Sequence, residues 1–142
     1  MTNALRLTIG ADPGEVAGVN AAFAGFAETH ALPAAIRRTM LVALDELLSN
    51  TIAYGFPGRG SGEVTVEVEL RPDRLTVTLT DDGRPFDPFG MASPDTSRST
   101  QERRIGGLGI HLVKEMMDEV SYQRRADRNV VVLAKRLREE GP

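Results

Sequence analysis

Glu46 and Asn50 are residues whose types and spacing could do chemistry. They lie four positions apart in "ALDELLSNTIAYG", a stretch whose apolar spacing predicts a helix, so they share one helix face. A carboxamide oxygen is a hard neutral ligand that suits Mg²⁺, and a carboxylate one turn earlier could take a proton from a nucleophile attacking a bound phosphate. The alternative is a solvated pair on an ordinary amphipathic helix, because this spacing is common by chance.

A second polar motif, Asp81-Asp82-Gly83, follows a predicted strand. A carboxylate at a strand end can accept a hydrogen bond from an exocyclic amine such as that of adenine, and glycine lets a ligand approach the backbone closely. Asp-Gly after a strand is also an ordinary turn signal. The motif alone therefore supports either interpretation.

A third motif, "GGLG", comprises Gly106, Gly107, Leu108 and Gly109 directly before a predicted helix. Such a turn can present backbone N–H groups and the positive end of the helix to a phosphate. It is not a P-loop, because the Gly-Lys-Ser/Thr ending is absent. It is not a Rossmann fingerprint either, because the glycine spacing differs.

The segment before this glycine turn, residues 89–104, is small, polar and charged, without hydrophobic periodicity. A loop of this length inside a compact domain is usually functional or disordered. Its arginines, Arg98, Arg103 and Arg104, could fold over phosphates as a lid. Simple solvation of a polar loop is the alternative.

The elements that must position these motifs follow from hydrophobic spacing. The predicted order is β-α-α-β-β-loop-α-β-β, with strands at 5–9, 64–70, 75–79, 120–125 and 129–137, helices at 13–30 and 33–54, and a glycine-led helix within 105–120. Its inward residues are expected to be Leu112, Val113, Met116, Met117 and Val120. This order predicts an α/β (α+β) two-layer sandwich, in which a mixed, mostly antiparallel sheet carries the helices on one face.

Composition excludes several classes of protein. The 142 residues most simply form one domain, 1–142. No apolar run approaches the roughly 20 residues of a membrane span, so no membrane association is expected. A net charge of −3 and an aromatic content of 5% argue against direct nucleic-acid binding. Without cysteine or a signal-peptide pattern, a cytoplasmic location is the default expectation.

The order of the three motifs along the chain is more specific than any of them alone. "DELLSN", "DDGRPFDP", a variable loop and "GGLGIHLVKEMMDEV" resemble the N, G1 and G2 boxes of the GHKL ATPase/kinase superfamily. Over nearly its whole length, the chain is similar to stand-alone members of the anti-sigma-factor serine/threonine kinase family, which are small relatives of the histidine-kinase ATP-binding domain. The resemblance implies a histidine-kinase-like ATPase fold and a site for ATP and Mg²⁺.

The resemblance also implies roles for four residues of the first two boxes. Asn50 matches the asparagine that coordinates Mg²⁺, and Glu46 matches the acidic residue expected to act as general base. Asp81 matches the aspartate that hydrogen-bonds the adenine amino group, and Gly83 matches the glycine that follows it. The polar face of the second helix would then line the nucleotide site.

In the third box, Gly107, Leu108 and Gly109 match the nucleotide-binding turn near the phosphates, and residues 89–105 correspond to the ATP lid. We expect this lid to be mobile without nucleotide and to order in part when ATP binds, because it offers little apolar surface to bury. Arg104 is the favoured phosphate contact, since it lies nearest the glycine turn.

The activity implied by the resemblance is phosphorylation of a small anti-anti-sigma partner by an anti-sigma regulatory kinase, with a sigma factor as a further candidate partner. The alternative is a non-catalytic ATP-binding module that inhibits a sigma factor or serves another signalling relay. A homodimer is a further candidate assembly. The sequence departs from the family pattern at Arg84-Pro85, where a second glycine is frequent, and in "DRNVVVL", where Gly-Thr-Thr is frequent.

Overall fold

A computed structural model describes residues 3–58, 62–90 and 108–137 of the chain. Within these ranges lie strands β1 (Ala4–Gly10), β2 (Glu63–Arg71), β3 (Arg74–Asp81), β4 (Glu119–Arg125) and β5 (Arg128–Arg136). The helices are α1 (Val16–Thr29), α2 (Ala34–Gly55) and α3 (Leu108–Met116), with short 3-10 helices at Pro13–Glu15 and Pro88–Gly90. The predicted order of elements is confirmed.

The strands form one sheet in the order β1-β2-β3-β5-β4. The predicted predominance of antiparallel pairing is confirmed, but the predicted mixed character is wrong for the described strands, because every pair of neighbours among them is antiparallel. Two-residue turns between β2 and β3 and between β4 and β5 account for two of these pairs, since only antiparallel strands can be joined so tightly. The predicted two-layer α/β architecture is confirmed.

Period-2 alternation in the strands separates a buried face from a half-exposed one. The inward positions of the two central hairpin strands are fully buried at Val64, Val66, Val68, Leu75, Val77 and Leu79. The outward positions are largely threonine and glutamate, and they stay partly or fully exposed. All three described helices contribute to the same apolar core as these inward residues. The helices therefore cover one face of the sheet, as the alternation predicts.

Helix α1 ends in a tight reversal that turns the chain into α2. Ala31 adopts a left-handed conformation, with φ of +52°. Its N–H donates to the carbonyl of Glu28 at 3.1 Å, and the N–H of Leu32 donates to the carbonyl of Ala27 at 2.9 Å. These two bonds are those of a Schellman motif, in which the left-handed position usually carries glycine.

Helix α2 buries the apolar stripe that the sequence predicts. Met40, Leu44, Leu47, Leu48 and Ile52 are all in the core. Glu46 and Asn50 lie at the flank of this stripe, Glu46 half-buried and Asn50 buried with 7% of its surface exposed. Of the helices that the structure describes, none combines the length and the apolar character needed to cross a membrane.

Helix α3 packs on a narrower stripe than the sequence indicates. Ile110, Val113 and Met117 are buried, whereas Leu112 is 51% exposed. The prediction that Leu112 faces inward is wrong, because positions 110, 113 and 117 define a stripe at helical spacing and position 112 points away from it. Val120 belongs to β4, where it packs against the core with partial burial.

Candidate nucleotide-binding site

Asp81 is the last residue of β3 and one of few buried polar residues among those described, with 3% of its surface exposed. Its Oδ1 accepts a hydrogen bond from the backbone N–H of Gly83 at 2.9 Å and another from Nδ2 of Asn129 at 2.9 Å. The second contact joins two neighbouring strands, since Asp81 and Asn129 are directly paired between β3 and β5. One oxygen of the carboxylate is therefore held by donors from two elements.

Asn129 uses both ends of its amide. Besides Asp81, its Nδ2 donates to the carbonyl of Arg84 at 2.8 Å. Its Oδ1 accepts from the hydroxyl of Tyr122 at 2.6 Å and from the N–H of Phe86 at 3.2 Å. The side chain is 2% exposed. It ties β5 to β4 and to the loop that follows β3.

Burial raises the pKa of the Asp81 carboxyl above its ordinary value, because desolvation disfavours the charged form. The hydrogen bonds from Asn129 and from the Gly83 N–H oppose this rise, since they favour the carboxylate. The nearby charge of Asp82 raises the pKa further, and that of Arg124 lowers it. On balance the pKa of Asp81 is raised, as is common for carboxyl groups at functional sites.

The remaining oxygen, Asp81 Oδ2, has no hydrogen bond within the described ranges. It is not sealed from solvent either, because the only sealed and unpartnered side-chain atom among the described residues is Oδ1 of Asn20. A carboxylate oxygen of this kind can accept a hydrogen bond from an exocyclic amine. Asp81 Oδ2 is thus the oxygen available to such a donor.

Gly83 leaves no room for a side chain in the same corner. A β-carbon there would lie 2.7 Å from the carbonyl oxygen of Gly55 and 3.0 Å from both Asp81 Oδ1 and the ring of Phe56. The glycine thus lets the loop after β3 pack directly on the last turn of α2. The end of α2 therefore lies next to Asp81. A β-carbon on Gly55 would be 3.9 Å from Asp81 Oδ1.

The loop after β3 is braced from two sides. The Nε of Arg84 donates to the carbonyl of Tyr54 at 2.7 Å, and a guanidinium nitrogen of Arg124 donates to the carbonyl of Gly83 at 2.8 Å. The rings of Tyr54 and Phe86 stack with centroids 5.3 Å apart. Arg84 therefore braces this loop against the end of α2.

Glu46 and Asn50 form the other end of the candidate site. Asn50 Nδ2 donates to Glu46 Oε1 at 3.1 Å, as the i,i+4 spacing allows. This bond turns Asn50 Oδ1 away from Glu46, and Oδ1 has no hydrogen bond in the part of the chain that the structure describes. A free carboxamide oxygen suits Mg²⁺.

The first turn of α3 packs directly onto Glu46. A β-carbon at Gly109 would overlap the Glu46 carboxylate, so a larger residue there would have to displace this flexible side chain. Glu46 precedes Gly55 by nine residues, about 14 Å along the helix axis. Helix α2 thus runs between Asp81 and Glu46, which we call the base end and the acidic end of the candidate site.

No group of three or more His, Cys, Asp or Glu side chains that could hold a metal ion occurs among the described residues. Magnesium needs about six oxygen ligands and commonly takes them from water and substrate phosphates. A Mg²⁺ ion at Asn50 would therefore depend on the phosphates of a bound nucleotide.

Comparison with known proteins identifies the family. The chain matches the histidine kinase-like ATPase domain over residues 9–135. It belongs to that family. The serine/threonine-protein kinase BtrW of Bordetella bronchiseptica is 34% identical over 103 residues, covering 70% of each chain. The serine-protein kinase RsbW of Listeria monocytogenes is 34% identical over 83 residues, which are 56% of this chain and 53% of the relative. The chain thus spans about half the length of this relative.

Among solved structures, the histidine kinase AdeS of Acinetobacter baumannii has a TM-score of 0.48 and 15% sequence identity, covering 72% of this chain and 48% of that one.

In this histidine kinase-like ATPase domain, Asp81 and Gly83 lie together at one end of the site and Glu46, Asn50 and Gly109 lie together at the other. Gly107 and most of the predicted lid over 89–105 lie outside the described residues, as do its arginines Arg98, Arg103 and Arg104. The backbone of Leu108 begins α3, and its side chain lies outside the description. The roles assigned to these residues stay predictions.

Asn129 is the member of the site that sequence reasoning missed. A signal was present, since position 129 shares the inward face of β5 with Val131 and Leu133, where an apolar residue is expected. A polar side chain on a buried face needs hydrogen-bond partners. Asn129 belongs to "DRNVVVL", the stretch that departs from the frequent Gly-Thr-Thr, and its side chain lies beside Asp81.

Proposed function

We propose that this histidine kinase-like ATPase domain is an ATP-dependent protein kinase that phosphorylates a serine or threonine of a small anti-anti-sigma protein. The observation that carries the proposal is the setting of Glu46. Its carboxylate is held by Asn50 and packed under Gly109, at the end of the site away from Asp81. A module that only binds nucleotide does not need a proton acceptor at this end.

Asp81 Oδ2 would accept a hydrogen bond from the adenine amine, and Gly83 would let the base approach the backbone. Asn50 Oδ1 would hold Mg²⁺, which supplies neutralising charge at the phosphates. The glycine turn that ends at Gly109 would face the phosphates with backbone N–H groups. These residues position the nucleotide, and positioning is most of what phosphoryl transfer requires from a protein.

In the transfer itself, the hydroxyl oxygen of the partner's serine or threonine forms a bond to the γ-phosphorus of ATP. The bond between that phosphorus and the β,γ-bridging oxygen breaks, and ADP leaves with the bond's electron pair. Glu46 accepts the hydroxyl proton. A correctly placed base of this kind contributes about 10²–10⁴-fold to the rate.

The named relatives support the choice of acceptor. The Listeria and Bordetella proteins are called a serine-protein kinase and a serine/threonine-protein kinase. We infer the same acceptor chemistry for this chain, with a cytoplasmic anti-anti-sigma protein as substrate and a sigma factor as second partner.

The binding part of the proposal is tested by calorimetry with a non-hydrolysable ATP analogue and Mg²⁺. Asp81→Asn is the informative variant, because its Oδ1 can still accept from Gly83 and Asn129 while Nδ2 replaces the free oxygen. The variant should fold, and it should lose about tenfold or more in affinity, because two donors then face each other. Unchanged affinity in the folded variant would contradict the assignment of Asp81.

The catalytic part is tested by incubating the chain with γ-labelled ATP, Mg²⁺ and the anti-anti-sigma protein of the same organism. Label should move to a serine or threonine of that protein, and the transfer should be strongly reduced in Glu46→Gln. ATP binding without transfer would instead support the alternative of a non-catalytic module that inhibits a sigma factor.

A further inference from the structure

We propose that Asn129 is a positioning residue that fixes the Asp81 carboxylate so that the site accepts a 6-amino purine and rejects a 6-keto purine. The inference rests on the proposed ATP site and names the residue that sets its base selectivity. It follows from the hydrogen bonds of two buried side chains, Asp81 and Asn129.

The first step concerns the orientation of Asp81. Both hydrogen bonds that the described chain makes to this carboxylate end on the same oxygen, Oδ1. Rotation of the carboxylate would move Oδ1 away from the Gly83 N–H and from Asn129 Nδ2 at once. Hydrogen bonds to a charged group are stronger than those between neutral groups, so the orientation that keeps both of them is strongly favoured. In that orientation Oδ2 is the oxygen left for a ligand.

The second step concerns the orientation of Asn129. Its Nδ2 faces two acceptors, Asp81 Oδ1 and the carbonyl of Arg84. Its Oδ1 faces two donors, the hydroxyl of Tyr122 and the N–H of Phe86. Flipping the amide would place an oxygen against a carboxylate and a carbonyl, and an NH₂ group against an N–H donor. The network therefore admits one amide orientation, and that orientation always presents a donor to Asp81.

The third step connects this geometry to base selectivity. An ionised carboxylate only accepts hydrogen bonds, so it pairs with the amine of adenine and repels the keto oxygen of hypoxanthine or guanine. A protonated carboxyl can donate, and would tolerate a keto group. Burial raises the pKa of Asp81, and the bond from Asn129 opposes that rise. Asn129 thus maintains both the direction and the acceptor character of Asp81.

The experiment compares the affinities of Mg²⁺ complexes of ATP and inosine triphosphate, which differ at the 6-position, for the wild-type chain and its variants. The wild type should prefer ATP by roughly tenfold or more, the ratio expected where a buried acceptor is left unpaired or opposed. Asn129→Leu should bind ATP about tenfold more weakly and inosine triphosphate about equally, so that the preference nearly disappears.

Two further variants separate positioning from simple structural support. Asn129→Ser removes the reach to Asp81 with less disturbance than leucine, and it should also lose the preference. Tyr122→Phe removes one bond to Asn129 from the opposite side and leaves the donor to Asp81 in place, so it should keep the preference. With ATP as phosphoryl donor, the asparagine variants should show a raised KM and an unchanged kcat, because the phosphate end is intact.

The outcomes are distinguishable. If the wild type binds neither nucleotide, the proposed function is wrong and the inference falls with it. If the wild type prefers ATP, and folded Asn129→Leu or Asn129→Ser keeps that preference, Asn129 only supports the fold and the inference is overturned while the ATP site stands. Loss of preference in both variants, with Tyr122→Phe unaffected, supports the inference.

Discussion

The two ends of the candidate site are held in different ways. At the base end, Asp81 and Asn129 are buried and joined to the loop after β3 and to β4 by a continuous set of hydrogen bonds. At the acidic end, Glu46 and Asn50 lie on one helix and bond to each other at 3.1 Å. Gly109 approaches them from α3 without a side chain.

Because of this difference, we expect substitutions at the two ends to affect different properties of the protein. A buried polar network is costly to disturb, because a buried group that loses its partner has no water molecule to replace the missing hydrogen bond. At the acidic end Asn50 is buried and Glu46 half-buried, and a single i,i+4 pair contributes only a few tenths of a kcal/mol to a helix. Substitutions at the base end should therefore change folding and base affinity, and substitutions at the acidic end should change the rate of transfer.

The largest expected effect comes from Glu46→Gln. Glutamine keeps an acceptor for Asn50 but cannot take a proton, so the rate of phosphoryl transfer should fall by about 10²–10⁴-fold. The free energy of unfolding should change by no more than about 0.5 kcal/mol. Transfer of label and chemical denaturation measure the two quantities. Asp45→Asn, the neighbouring exposed carboxylate, is the matched control and should transfer normally; equal losses in both variants would remove the special role of Glu46.

The same substitution at two glycines tests the comparison most directly. Gly83→Ala brings a β-carbon against the backbone of Gly55, which cannot easily move, so the variant should lose about 1–3 kcal/mol of stability. Gly109→Ala meets the flexible side chain of Glu46, and alanine favours a helix, so stability should hold while transfer falls. Urea unfolding and the transfer assay measure both variants. A Gly109→Ala protein that is destabilised but fully active would reverse the assignment of the two ends.

A smaller effect should appear in the pH dependence of stability. The folded-state pKa of Asp81 is raised above 3.8, so as pH rises past that value the unfolded chain loses its proton first. The stability that Asp81 contributes in its neutral form is then lost as pH rises through the folded pKa. The stability of Asp81→Asn relative to the wild type should therefore increase from about pH 4 upward and then level off. A difference that stays flat or decreases would contradict the buried, ionised carboxylate.

The smallest effect is expected at Ala31, which lies away from both ends of the site and gives a reference for changes in stability alone. Ala31→Gly removes the strain of a left-handed alanine in the Schellman motif after α1, and should stabilise the protein by about 0.5–1 kcal/mol. Ala21→Gly, at an exposed interior position of α1, is the matched control and should destabilise by about 1 kcal/mol. Thermal unfolding measures both, and neither should affect transfer. Equal signs for the two variants would contradict the reversal described at Ala31.

Much of the fold could be predicted because its signals are local. Alternation from Val64 to Leu79 specifies a hairpin, and the stripe from Met40 to Ile52 specifies the buried side of α2. Leu112 shows where such reasoning fails. An apolar residue near a predicted stripe is assigned to it by type, whereas the packing of Ile110 and Val113 leaves it in solvent.

The sequence by itself determined that Glu46 and Asn50 share a helix face, because residues four apart in a helix are neighbours whatever surrounds them. It also determined that Asp81 ends a strand and that Gly83 follows it. Only the tertiary structure decided that Asp81 meets Asn129, 48 positions later, and that Gly109 lies over Glu46. The reason is that pairing between distant strands depends on the register of the whole sheet, which burial of many side chains sets together. A shift of β5 by one residue would have turned Asn129 to the open face and left Asp81 without its donor.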